Sequence, residues 1–207
     1  VGQRSFFQTA VYAMTGVDLD PADAAMLEQL GNANLQLDRR AWPLAATRRV
    51  AARGGGFAAA VVAGQAMMGS PVLAGSAAAD CARFLLRARA AVDAGHIVAN
   101  LVADLVARGE RVMGFGRPVV GPDERVPVML ALLGRHGRAA LPFATLLRQA
   151  EAAFLTHKNL RSNAAAWAAA ILSDYGMSPE QVHAVCNFWV AVCVSAQAVF
   201  SGERGLV

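Results

Sequence analysis

Two short stretches hold the residues best suited to chemistry. Gly114-Phe115-Gly116-Arg117-Pro118 is a glycine-rich stretch with a cation near its end, and Asp123-Glu124-Arg125 follows closely. Glycine permits backbone conformations and close approaches that other residues resist. A guanidinium fork offers paired donors that match a phosphate or a carboxylate. Arg117 therefore has two readings. Its fork holds such a group on a ligand, or it pairs with a neighbouring acid, Asp123 or Glu124. Arginine donates hydrogen bonds but cannot shuttle protons near neutral pH.

The four histidines, His96, His136, His157 and His183, have no metal-ligand spacing, so no metal site is expected. His96 follows Gly95 and reads as a helix-start cap or surface group. His136 reads as a partner for a helix C-terminus. His157 is the best placed for substitute acid–base chemistry, against a plain exposed role, and His183 reads as surface. Cys81, Cys186 and Cys193 are odd in number and lack C-x-x-C spacing, which argues against both a disulfide framework and a zinc site. Cys186 and Cys193, seven apart on one helical face among apolar neighbours, read as buried thiols, and a reducing cytoplasm is expected.

The chain that must position these groups has 207 residues, 56% hydrophobic and 16% charged. Such a composition excludes disorder, and its alanine content favours helix. So apolar a chain is expected to bury a second surface in an oligomer. The net charge of +4 is almost wholly arginine, Lys158 being the sole lysine. The cluster Arg39, Arg40, Arg48, Arg49 and Arg53 has one aromatic neighbour, Trp42, and no nucleic-acid motif, so nucleic acid is not expected as a partner. Val1-Gly2-Gln3-Arg4 is followed by no apolar run of signal-peptide length. Residues 57–79 and 184–200 are apolar but interrupted, and are expected to be core helices rather than membrane spans.

Capping and breaking residues predict a succession of helices. They cover Phe6 to Met14, Asp20 to Leu30, Pro43 to the Gly54-Gly55-Gly56 run, 57–68, 76–93 with Ser76 as cap, 96–108, Asp123 to Gly134, Pro142 to Thr156, 163–175, and Ser178 to Phe200. Gly109 to Pro122 and Lys158 to Arg161 read as connectors. No strand alternation and no internal repeat stands out.

The 114–125 loop, the segment Gly69 to Leu86 and the stretch Asn163 to Glu180 together resemble the citrate synthase and citryl-CoA lyase family. The resemblance runs from roughly Arg39 to Arg204. It implies an all-α, multi-helical fold. A large helical domain would comprise 1–72 plus 166–207, with a smaller inserted helical domain over 73–165. It also implies dimers with active sites between the domains. The family makes or breaks a carbon–carbon bond next to an acyl-CoA thioester, using two histidines and an aspartate base. Here those positions fall on Leu73, Arg117 and Ala165, none of which can do the family's work. Arg125 matches an arginine that contacts substrate carboxylate, whereas a second such arginine falls near Val190 and a later histidine near Gln197.

The resemblance thus implies a non-catalytic member that binds an acyl-CoA or small carboxylate through Gly114, Phe115, Gly116, Arg117 and Arg125, or that partners an active relative. The alternatives are an active enzyme of the same type using substitute residues and, more weakly, a purely structural helical subunit without a ligand. The resemblance gives no definite cofactor, with a coenzyme A thioester as one candidate ligand. The expected state is a homodimer, or a heteromer with an active relative.

Overall fold

A computed structural model describes residues 2–35, 37, 41–117 and 121–204, with only the backbone of residues 202–204. Arg39, Arg40 and Pro118 therefore lie outside the described residues. The described chain is all-α: α1 (Phe6–Thr15), α2 (Pro21–Asn34), α3 (Trp42–Ala52), α4 (Gly56–Met68), α5 (Ala74–Asp93), α6 (Val98–Ala107), α7 (Arg125–Arg135), α8 (Pro142–Lys158), α9 (Ala164–Asp174) and α10 (Pro179–Arg204).

Local signals place most helix starts. Ser5 and Gln8 form a reciprocal capping box on α1, as Ser178 and Gln181 do on α10. Asp20 accepts from the Asp23 N–H at 2.8 Å ahead of Pro21. Three starts differ from the sequence expectation. α5 begins at Ala74 and is not capped by Ser76, because a turn at Ser70 already delivers Leu73 as an extended cap. The Ser76 hydroxyl points back to the Gly69 carbonyl at 3.5 Å. His96 opens no helix: its N–H bonds the Ala91 carbonyl and closes the end of α5, and α6 starts at Val98. α7 starts at Arg125, with the Asp123 carboxylate accepting the Arg125 N–H at 3.1 Å from just outside the helix.

One continuous core joins α1, α2 and α5 through α10 around Trp167, Phe84, Met26, Met129 and Leu147. α10 is its axis, packing on α5, α3, α4 and α9. Its stretch Pro179–Ser201 is long and apolar enough to cross a membrane, and 33% of its most apolar window is buried inside the fold. α3 and α4 pack on α10 through smaller clusters, Leu44 with Met68, Val190 and Val194, and Ala51 with Ala60 and Ala198. On these three helices Trp42, Phe57, Val62, Val192 and Phe200 stay about half or more exposed.

Candidate functional site

The loop after α6 is fastened to the N-terminus of α9. Phe115 and Ser162 pair as an isolated antiparallel bridge. The Gly116 N–H bonds the Arg161 carbonyl at 2.7 Å, and the Asn163 N–H bonds the Gly114 carbonyl at 2.8 Å. Gly114 has φ +93°, and a Cβ there would lie 2.9 Å from the Ala166 Cβ and 3.1 Å from the Cys81 Sγ. This position needs glycine for its backbone and for lack of room. Phe115 stacks on Phe154, ring centroids 4.1 Å apart, and meets Phe84 edge-on. Gly114 and Phe115 thus anchor the loop.

Asn163 caps α9: its Oδ1 accepts from the Ala165 and Ala166 N–H groups, and its Nδ2 donates to the Gly116 carbonyl at 2.8 Å. The Ala164 N–H goes to the Asp123 carboxylate at 3.0 Å. The first turn of α9 therefore spends its free donors on the protein's own side chains rather than on a ligand.

Asp123 is the electrostatic pivot of this region. Only 4% of the residue is exposed. Its two oxygens take the Arg125 fork, Nε at 2.8 Å and Nη2 at 2.7 Å. Burial alone would raise its pKa, but the bonds from Arg125 and Ala164 and the Arg125 charge outweigh burial and lower it to about 2. Arg125, matched to a substrate-contacting arginine by sequence, here has two of its three nitrogens committed to Asp123.

Arg117 lies farther out. Its Nη1 donates to the Pro122 carbonyl at 2.9 Å and to the Glu124 carboxylate at 2.5 Å. That hydrogen bond from Arg117 is the main reason the Glu124 carboxyl sits below its usual range. A cleft of about 390 Å³ opens here, lined by Gly116, Arg117, Asp123, Arg161, Ser162 and Asn163 among others. The structure thus brings Gly116 and Arg117 together on one cleft, with Gly114, Phe115 and Arg125 behind it. Leu73, half-buried at the head of α5, and Ala165, half-buried in the first turn of α9, line neither this cleft nor the second one. On α10, Val190 is buried and Gln197 accepts from Arg48 at 2.9 Å.

The second cleft, about 380 Å³, lies between the head of α5, residues 111–113 and α10, and is lined by Ser76, Asp80, Arg83, Arg111 and His183. His183 is half-buried rather than a surface group. The Asn187 Oδ1 accepts the Gly75 N–H at 3.3 Å, which turns the Asn187 Nδ2 toward the His183 Nε2 at 2.7 Å. In that arrangement Nε2 accepts and the ring proton sits on Nδ1. The three-residue distance of Ser178 from Gln181 marks the helix start in the sequence, but nothing there signals that a glycine on α5 would orient a histidine on α10. His157 is exposed at the end of α8, and His136 caps α7 with Nε2 3.5 Å from the Gln29 amide oxygen. Among the described residues no group of three or more His, Cys, Asp or Glu could hold a metal. Cys81 and Cys186 are buried and unpaired, and burial pushes the Cys186 thiol up to about 12.

The sequence pattern of the citrate synthase C-terminal domain matches residues 3–199. The chain belongs to the citrate synthase family. Citryl-CoA lyase from Hydrogenobacter thermophilus superposes with a TM-score of 0.83 at 18% identity, over 98% of this chain and 78% of the lyase. Citrate synthase from Thermoplasma acidophilum gives 0.76 at 14% identity, covering 99% of this chain and 55% of the synthase. A Methanosaeta concilii ATP citrate lyase variant, solved in complex with (3S)-citryl-CoA, gives 0.73 at 18% identity, over 91% of this chain and 32% of the lyase. These likenesses establish the all-α, citrate-synthase-like fold. The chain spans only about a third to a half of the latter two proteins. No curated protein matches the sequence.

Proposed function

We propose that this chain is a non-catalytic member of the citrate synthase family that binds a small carboxylate or an acyl-CoA. The observation that carries this reading is the pairing of a retained scaffold with replaced reacting positions. Gly114, Phe115, Gly116 and Asn163 build the loop against α9 in detail. Yet the base position is Ala165, which cannot accept a proton, and the loop histidine position is Arg117, which cannot relay one near neutral pH. The third position is Leu73. Arg117 and Arg161, both on the first cleft, supply cations for a carboxylate or phosphate. Relatives of this fold solved with citryl-CoA, or with citrate and coenzyme A, support that ligand class.

The competing reading is carbon–carbon bond chemistry through substitute residues. It would draw on His183, a half-buried imidazole held in one tautomer on the second cleft.

A dimer, or a heteromer with an active relative, belongs to the same proposal. Trp42, Phe57, Val62, Val192 and Phe200 give α3, α4 and α10 an exposed apolar surface that a second subunit would cover. The division into 1–72 plus 166–207 and 73–165 is likewise part of it, as is a reducing cytoplasm for the unpaired thiols. Ligand binding is tested by the heat stability of the whole chain with citrate, coenzyme A and acetyl-CoA. A ligand at about a hundred times its Kd adds roughly 2.7 kcal/mol to the native state. No stabilisation by any of the three would refute the binding half of the proposal.

A further inference from the structure

Glu124 already holds the guanidinium that the proposed ligand would need. The Arg117 side chain is 17% exposed, whereas that of Glu124 is 66% exposed. The Arg117 Nη1 uses both its hydrogens, one on the Pro122 carbonyl and one on Glu124. The bond to Pro122 fixes the direction of the guanidinium, while the carboxylate reaches it from the solvent side. Its neighbour contrasts with it: the Asp123 side chain is 1% exposed and grips Arg125 with both oxygens, so that pair is part of the packing. The Glu124 carboxylate can leave by rotating into water. An ion pair with a solvated partner costs little to open.

We propose that Glu124 is a built-in competitor, its carboxylate standing on Arg117 in place of a ligand carboxylate or phosphate, and that binding in the first cleft requires Glu124 to swing away. The proposal rests on the reading of that cleft as a ligand site. The charges support it. With Glu124 in place, Arg117 and Arg125 are each offset by an acid, and Arg161 is the cation on the cleft with no acid partner among the described residues. With Glu124 neutral or displaced, Arg117 and Arg161 face the cleft together. A ligand oxyanion on Arg117 makes the same charge-assisted bond that Glu124 makes now. Glu124 thereby sets a threshold: weak monoanions lose to the tethered carboxylate, and ligands with several oxyanions displace it.

The test is calorimetric titration of the full chain at low ionic strength, with citrate and inorganic phosphate as separate probes that distinguish a carboxylate from a phosphate source. Wild type, Glu124→Gln, Arg117→Ala and the double variant are compared, each checked for helical circular dichroism. Glu124→Gln is expected to bind at least one probe about tenfold more tightly than wild type. Arg117→Ala is expected to remove that binding in either background. Equal or weaker binding by Glu124→Gln, with Arg117 still required, would overturn the competitor and leave the cleft reading standing. Binding unchanged by Arg117→Ala, or absent in every variant with both probes, would overturn the two together.

Discussion

The two ends of the loop between α6 and α7 are held in opposite ways. At the inner end, Gly114 lies against Cys81 and Ala166, Phe115 stacks on Phe154, and Asp123 joins Arg125 to the first turn of α9. Gly114 and Asp123 are buried here, Phe115 and Arg125 are half-buried, and each of these contacts is made within the fold. At the outer end, the Arg117 Nη1 donates to one backbone carbonyl and to a carboxylate that is mostly in water. On the proposed reading, the inner end keeps the architecture of the family while the outer end lacks the groups for its chemistry. On that reading a scaffold and its reaction part company, packing preserving the loop where the reacting residue is replaced.

If that contrast is right, damage at the inner end costs stability and damage at the outer end costs ligand. The largest loss is expected for Asp123→Ala, which strands a largely buried guanidinium and the Ala164 N–H. Removing one partner of a buried pair costs about 3–5 kcal/mol, read from urea unfolding. The same carboxylate gives a pH signature. Its folded pKa, about 2, lies below its ordinary 3.8. Its contribution is thus complete above the ordinary value, is lost as pH falls toward the folded one, and is worth roughly 2 kcal/mol. Acid unfolding of wild type should show that loss, and Asp123→Ala should lack it.

Gly114→Ala comes next. It forces a side chain onto positive φ and into the Ala166 and Cys81 contacts, and should cost about 1–3 kcal/mol. Asn163→Ala removes the α9 cap and the bond to the Gly116 carbonyl, for about 1–2 kcal/mol. The smallest stability effect is expected at the outer end, where Arg117→Ala should change unfolding by at most about 1 kcal/mol while abolishing stabilisation by ligand. Equal losses at both ends would erase the contrast.

Much of the fold was legible in the chain. Asp20, Pro142 and Ser178 mark helix starts because such signals are local, settled within three or four residues. Gly16 and Gly176 mark stops for the same reason. What stayed illegible depends on partners far apart in sequence. Ser76 looks like a cap, but the turn at Ser70 starts the helix two residues before it. His183 looks like a surface group, yet Gly75, more than a hundred residues away, orients Asn187 and through it the imidazole. Arg125 is a substrate contact only by the family resemblance. Its engagement by Asp123 follows from a buried carboxylate that must also satisfy Ala164, 41 residues on. For Arg117, both a ligand role and a salt bridge to Asp123 or Glu124 were open in the sequence, and the structure gives it Glu124 as partner.

We propose that the loop survives here without the reaction. The most direct measurement follows coenzyme A release or uptake by the purified full chain with citryl-CoA, and with acetyl-CoA plus oxaloacetate. It is run on wild type and on Ala165→Asp. No turnover above the uncatalysed rate is expected for either, because restoring one carboxylate leaves Leu73 and Arg117 at the other two proposed reacting positions. Steady turnover by the wild-type chain would contradict it.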